Sequence, residues 1–178
     1  MEELGRKSVD DFKLAAKKPY VVVMDNIRSM HNVGSVFRTA DAFLISGICL
    51  CGFTPQPPHR DIHKTALGAT ESVDWMFYET TEAAVTELKK KGYKVLAIEQ
   101  TEGSIRLDQY KHDVQPTAFV FGNEVDGVDD NVLALCDGVI EIPQWGMKHS
   151  LNISVAAAVV LWEFVRKESK QIELNEHI

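Results

Sequence analysis

Four polar residues, His149, Ser150, Asn152 and Ser154, stand at the mouth of an otherwise apolar stretch, ISVAAAVVLWEFV, with the composition of a long helix starting near Ser150. A helix N-terminus leaves backbone N–H groups without partners and attracts oxygen-rich ligands. Ser and Asn are equally ordinary caps, so the same positions read as a cap or as a site. The choice turns on whether polar residues from elsewhere converge there. Asn32 opens a helical pattern of Val33, Val36, Phe37 and Ala40, for which it is a good N-cap. Arg38 sits about a turn and a half into that pattern, a poor place for a charge without a partner. Glu124 lies in a loop bounded by Gly122 and Gly127.

Several chemistries are excluded by what surrounds these residues. No G-x-G-x-x-G follows the first strand. Gly122 to Gly127 has phosphate-loop spacing, but Val128 and Asp129 follow it in place of Lys and Ser/Thr, and its acids Glu124 and Asp126 would repel phosphate. A G-x-S-x-G elbow and a Cys/His pair are also missing. His59 and His63 are four apart but lack a third ligand, so no metal is expected. With Arg60 and Lys64 they form the densest cationic cluster, in a stiff proline-rich loop suited to phosphate contact or to solvent. Cys49 and Cys51 share one face of a strand and read as small core residues; with Cys136 they make an odd count without a CxxC.

The elements that must position this kit alternate. Apolar runs at Tyr20–Met24, Ile48–Phe53, Val73–Tyr78, Tyr93–Ile98, Thr117–Phe121 and Val139–Ile142 have strand length. Helical patterns follow at Asn32, at Thr80–Lys91 with Ala83, Ala84 and Leu88 inward and Gly92 as the stop, and at Asp129–Leu135. Residues 1–18 read as a short amphipathic helical extension with Val9, Phe12 and Leu14 to Ala16 apolar. The class is α/β, with a mostly parallel sheet and helices on both faces. In such sheets ligands sit beyond the carboxyl ends of the strands, where Asn32, Gln100, Gly122 and Ile142 to Ser150 all fall.

At 178 residues and 45% hydrophobic content the chain fits one domain, 1–178. It contains no uncharged run of membrane-spanning length and no signal-peptide pattern at the N-terminus, so a cytoplasmic protein is expected. The net charge of −7 is uneven: residues 1–68 hold nine Lys/Arg against seven Asp/Glu, and residues 69–178 ten against nineteen. An anionic partner would meet the first third of the chain.

NVGSVFRTAD from Asn32, FGNEVDGV from Phe121 and IPQWGMKHSLNISVAAAV from Ile142 resemble, in order and spacing, the three motifs of the SpoU (TrmH) family of RNA 2′-O-ribose methyltransferases, within the SPOUT superfamily. The resemblance runs from about Tyr20 to Lys167, and Gln144-Trp145 departs from the Met and small residue usual there. It implies a C-terminal trefoil knot holding S-adenosylmethionine, with cofactor contacts at Gly122, Ile142, Leu151 and Gln100. Asn32, Arg38, Glu124, Ser150 and Asn152 become the catalytic set. The family's arginine is held to activate the ribose hydroxyl; a guanidinium is a reluctant base, so clamping phosphate and stabilising alkoxide is the alternative. The resemblance further implies a homodimer whose partner contributes to the site, and a tRNA or rRNA substrate met by Arg28, Arg38, Arg60, His63 and Lys64. Two other readings stay open: a catalytically silent RNA-binding protein on this fold, and a nicotinamide- or nucleotide-dependent enzyme that lacks its glycine fingerprint.

Overall fold

The computed structural model describes residues 7–113, 115–147 and 150–175, with side chains as far as residue 168. Seven strands form one sheet: β1 (Lys18–Asp25), β2 (Ile45–Cys51), β3 (Trp75–Tyr78), β4 (Lys94–Ile98), β5 (Ile105–Arg106), β6 (Thr117–Phe121) and β7 (Gly138–Glu141). They lie in the order β3-β2-β1-β6-β4-β7-β5, and every neighbouring pair is parallel. The helices are α1 (Val9–Leu14), α2 (Met30–Ala42), α3 (Arg60–Ala66), α4 (Ala69–Ser72), α5 (Thr81–Lys90), α6 (Asp130–Leu135) and α7 (Ile153–Asn175).

The central strands are apolar on both faces because helices cover both. Along β1, Val22 and Met24 join Phe119, Phe121, Ile48 and Leu50 in a core completed by α2 and by Ala157, Leu161 and Phe164 of α7. The alternate residues Val21 and Val23 join Cys49, Cys51, Ala118 and Val120 beneath Ala84, Val85 and Leu88 of α5 and Val132 of α6. This period-two partition is what a parallel strand buried on both sides requires. Phe164 anchors the first core, with its ring centroid 4.6 Å from that of Phe119 in an edge-on arrangement.

Where β4 gives way to β5, the sheet has an unusual crossing. Ile98 of β4 and Ile105 of β5 both register with Ile140 of β7, so the loop Glu99–Ser104 straddles β7 at its carboxyl end. The chain leaving β7 at Ile142 emerges beside that loop before α7 begins.

Several local expectations change. The proline-rich stretch after β2 is helical from Arg60 onward, forming α3 and α4, because Ile62, Ala66 and Ala69 find burial against α2. Asn32 is not the N-cap of α2; Ser29 is, its hydroxyl accepting from the Asn32 N–H at 3.2 Å. The last helix begins at Ile153 rather than near Ser150. In α5, Ala83 is exposed and Val85 takes the inward position. Of the apolar residues expected to face inward from the N-terminal extension, Phe12 does, while Leu14 is 86% exposed. The two-residue β5 is too short to leave a periodic signal and makes seven strands instead of six.

Candidate active site

Between α7 and the carboxyl ends of β4, β6 and β7 lies a cavity of about 480 Å3. Gln100, Gly122, Glu124, Ile142, Ser150, Leu151 and Asn152, seven of the residues singled out above, line it. It sits where parallel α/β sheets place ligands, and its volume falls in the range of small-molecule sites.

A relay of side-chain hydrogen bonds ties the three motif segments together. Asn32 Nδ2 donates to Glu124 Oε1 at 3.0 Å, and Asn152 Nδ2 donates to Asn32 Oδ1 at 3.1 Å. Asn152 Oδ1 in turn accepts from the N–H of Ser154 at 2.9 Å and from its hydroxyl at 2.6 Å, and the Asn152 carbonyl accepts from Ala156 N–H. Asn152 is therefore both the N-cap of α7 and a bridge to α2. The cap reading holds, and the same residue lines the cavity. The main-chain N–H groups of Leu151 and Asn152 donate to no other described residue, which leaves them for a ligand.

Two residues not singled out from sequence shape the cavity floor. Asn123 Nδ2 donates to the Asn26 carbonyl at 2.8 Å, while its Oδ1 accepts from Val125 N–H at 2.8 Å, folding the loop that presents Glu124. An Asn opening a Gly-bounded loop is the sequence signal for such a turn. Glu99 takes the N–H of Gln100 at 2.8 Å and of Val128 at 3.2 Å, so its carboxylate spans the β4 and β6 loops. Gly122 is required here, since a Cβ would stand 2.1 Å from the Gly127 carbonyl carbon.

The electrostatics divide cleanly. Glu99 and Glu124 line the cavity, and among its described lining residues there is no Lys, Arg or His. Such a lining suits a cationic ligand and disfavours phosphate. Cationic side chains lie outside. Arg38 is exposed and lines a separate cleft of about 510 Å3 with Ser35, Phe43, Lys64 and Ala158. It has no hydrogen bond or ion pair among the described residues. Six residues beyond Asn32 on α2, it is displaced about 9 Å along the axis. Within one protomer, then, it is not brought into the cavity. Arg28 is exposed, with its main-chain N–H 3.5 Å from Glu124 Oε2. His63, Lys64 and Arg60 lie together on and around α3, where Lys64 and Arg60 share Asp61 at 3.0 and 3.5 Å. Lys64 borders both the Arg38 cleft and a groove lined by Pro57, His59, His63 and Trp75. Gly34 lets α3 approach α2 this closely: a Cβ would lie 2.1 Å from Thr65 Oγ1 and 2.3 Å from the Ile62 carbonyl oxygen.

No three His, Cys, Asp or Glu side chains converge as a metal site among the described residues. Cys49 and Cys51 are buried in the sheet, and burial pushes the Cys49 thiol up to about 12 and that of the half-buried Cys136 up to about 11. Neither is a ready nucleophile. His149 falls outside the described residues. Among the described residues no helix is long and apolar enough to cross a membrane.

Comparison with known proteins gives the same geometry a context. Residues 19–162 match the profile of the SpoU rRNA Methylase family. The chain is 32% identical over 168 residues to tRNA (guanosine(18)-2′-O)-methyltransferase of Thermus thermophilus, covering 94% of this chain and 85% of that protein. It is 30% identical over 167 residues to a 23S rRNA (guanosine-2′-O-)-methyltransferase of Vibrio parahaemolyticus, covering 93% of this chain and 66% of that one. An AdoMet-bound rRNA methyltransferase from Sinorhizobium meliloti superimposes with a TM-score of 0.78 at 27% identity, over 91% of this chain and 61% of that structure.

Proposed function

The chain belongs to the SpoU rRNA methylase family, and from that premise we propose that it is an S-adenosylmethionine-dependent methyltransferase acting on the ribose 2′-hydroxyl of tRNA or rRNA. The observation that carries this reading is the acid-lined cavity joined to the Glu124–Asn32–Asn152 relay. When bound, S-adenosylmethionine supplies a methyl group already activated by its positive sulfonium. The cavity fits it in volume, in its two carboxylates and in the N–H groups of Leu151 and Asn152, which have no partner among the described residues. Gln100, Gly122, Ile142 and Leu151 are the contacts assigned to it, largely through main chain.

This chain's residues then have an ordering task. The ribose oxygen must be held in line with the methyl, and its proton must leave as the bond forms. Asn32, fixed from both sides by Glu124 and Asn152, orients the ribose at the cavity mouth, and Ser150 holds it from the α7 side. Arg38 clamps the adjacent phosphate and stabilises the developing alkoxide while the proton leaves to water; the alternative, Arg38 as the base, would require it to start as the neutral guanidine.

Because Arg38 lies outside its own protomer's cavity, the reading places a second copy against it. An exposed apolar stripe on α7 supports such a homodimer: Val155, Val159 and Trp162 are 38–55% exposed, and Trp162 packs on Phe43 at the edge of the Arg38 cleft. The whole chain acts as one methyltransferase domain, with residues 1–18 as its N-terminal extension. The segment from Ile142 into α7 passes the Glu99–Ser104 loop as a trefoil knot, a topology supported by that loop straddling β7. Arg28, Arg60, His63 and Lys64, on both protomers, meet RNA phosphates in the cytoplasm.

Transfer of labelled methyl from S-adenosylmethionine to total tRNA and rRNA tests the reading. Binding of the cofactor with no product on any RNA would favour the silent binding protein instead. Arg38→Ala is expected to lower kcat by 100-fold or more with S-adenosylmethionine affinity within twofold of wild type; equal loss of both would make Arg38 structural.

A further inference from the structure

We propose that Trp145, braced by Arg106, is a nucleobase-stacking platform at the rim of the cavity, where it holds an unpaired base of the RNA. The proposal rests on the methyltransferase reading and extends it to how the substrate is gripped. Trp145 is 83% exposed, and among the described residues its ring is met by Arg106. It follows directly on Gln144, which lines the cavity, but Trp145 is not itself part of that lining. Its place is therefore outside the cavity lining and one residue from it along the chain. The Arg106 guanidinium lies 5.9 Å from the centre of its ring, within cation–π range. That guanidinium is fixed by two hydrogen bonds to Asp108, Nε to Oδ1 at 3.1 Å and Nη2 to Oδ2 at 2.9 Å, and Arg106 belongs to β5, paired with β7.

This arrangement separates the duties of the rim. Arg106 spends its charge on Asp108 and on the indole, so it serves as a brace more than as a phosphate contact. The ring has a flat apolar surface in a site whose expected ligand carries flat bases, and every base has a π-face regardless of sequence. The Gln144–Gly146 turn carries one aromatic ring, braced by a guanidinium and one residue from the cavity lining, which is the form of a single-base platform, with the exposed Met147 following it in the chain.

The test compares wild type, Trp145→Ala and Trp145→Phe in methyl transfer to total RNA from cells lacking the protein, with S-adenosylmethionine binding, sedimentation and tryptophan emission measured on each. Trp145→Ala is expected to raise KM for RNA by about 5- to 100-fold, the scale of one lost base–aromatic stack, with cofactor affinity and oligomeric state unchanged. Trp145→Phe is expected to recover most of the RNA affinity while losing the RNA-induced quench of indole emission expected of wild type. An RNA KM within twofold of wild type for Trp145→Ala overturns the platform and leaves the methyltransferase reading standing. Loss of cofactor affinity or of the dimer in Trp145→Ala also overturns it, assigning the ring to the cofactor or to a second copy. Wild-type protein that transfers no methyl to any RNA overturns both.

Discussion

Asn152 shows how one residue serves stability and chemistry together. Its Oδ1 caps α7, an interaction whose loss to Ala costs about 1 kcal/mol, and its amide group holds Asn32 in place. The relay is built from neutral amides and one carboxylate, so it fixes geometry without a buried charge pair. A different carboxylate contributes to the acid response of the fold. Asp137 takes the Val95 N–H at 2.8 Å and the Lys89 ammonium at 2.7 Å. Burial works to raise its pKa, but the ammonium and the N–H together prevail and hold it below the usual carboxylate range. A carboxylate depressed in the folded state stabilises fully above its unfolded pKa, near 3.9, and that contribution disappears as pH falls through the folded value. Asp137→Ala is therefore expected to lose about 1–3 kcal/mol at pH 7, leaving a buried N–H unmatched. Thermal melts at pH 7 and pH 3 should show the gap from wild type narrowing at the lower pH; a constant gap would mean that the lost stability is packing alone.

Elements set what each residue can reach. α2 carries Asn32 at its start, bonded to the cavity residues Glu124 and Asn152, and Arg38 further along in a separate cleft, so one helix serves two places. α3 follows it closely because Gly34 has no side chain, and that contact places Lys64 beside Arg38. α7 buries Ile153, Ala157, Val160, Leu161 and Phe164 but leaves Val155, Val159 and Trp162 outward, a second apolar face that one protomer does not use. Val155→Asp, on that outward face, is expected to convert a dimer to a monomer in sedimentation, with methyl transfer reduced at least tenfold and the melting temperature little changed. A variant that stays dimeric and active would remove α7 from the interface.

At the scale of the whole molecule, charge is sorted by place. An acidic chain of net charge −7 keeps its carboxylates Glu99 and Glu124 in the cavity and puts Arg28, Arg38, Arg60 and Lys64 on the surface nearby. RNA contact through those cations, as proposed, would release counterions, whereas a ligand enclosed in the cavity would do so little. Raising salt from about 50 to 200 mM is thus expected to weaken RNA binding by about tenfold or more, with S-adenosylmethionine affinity changing less than twofold in calorimetry. Equal sensitivity of both would mean that the cofactor, too, is held by surface charge.

The sequence alone determined the alternation of strands and helices, since β-branched runs such as Tyr20–Met24 and Thr117–Phe121 need burial on both faces and helical periodicity separates them. Its second and third motifs hold Gly122, Glu124, Ile142, Ser150, Leu151 and Asn152, which line the cavity, whereas Asn32 and Arg38 of the first motif do not. Local pattern could not decide where the polar groups point. Ser29 displaced Asn32 as the cap of α2, freeing the Asn32 side chain for Glu124 and Asn152, and α3 formed from a proline-rich stretch only because α2 offered it an apolar face. The two-residue β5 gains its place solely by pairing with β7. The separation of Arg38 from the cavity is likewise a tertiary fact: spacing along a helix gives distance between two residues, while the surface each one meets depends on what packs alongside.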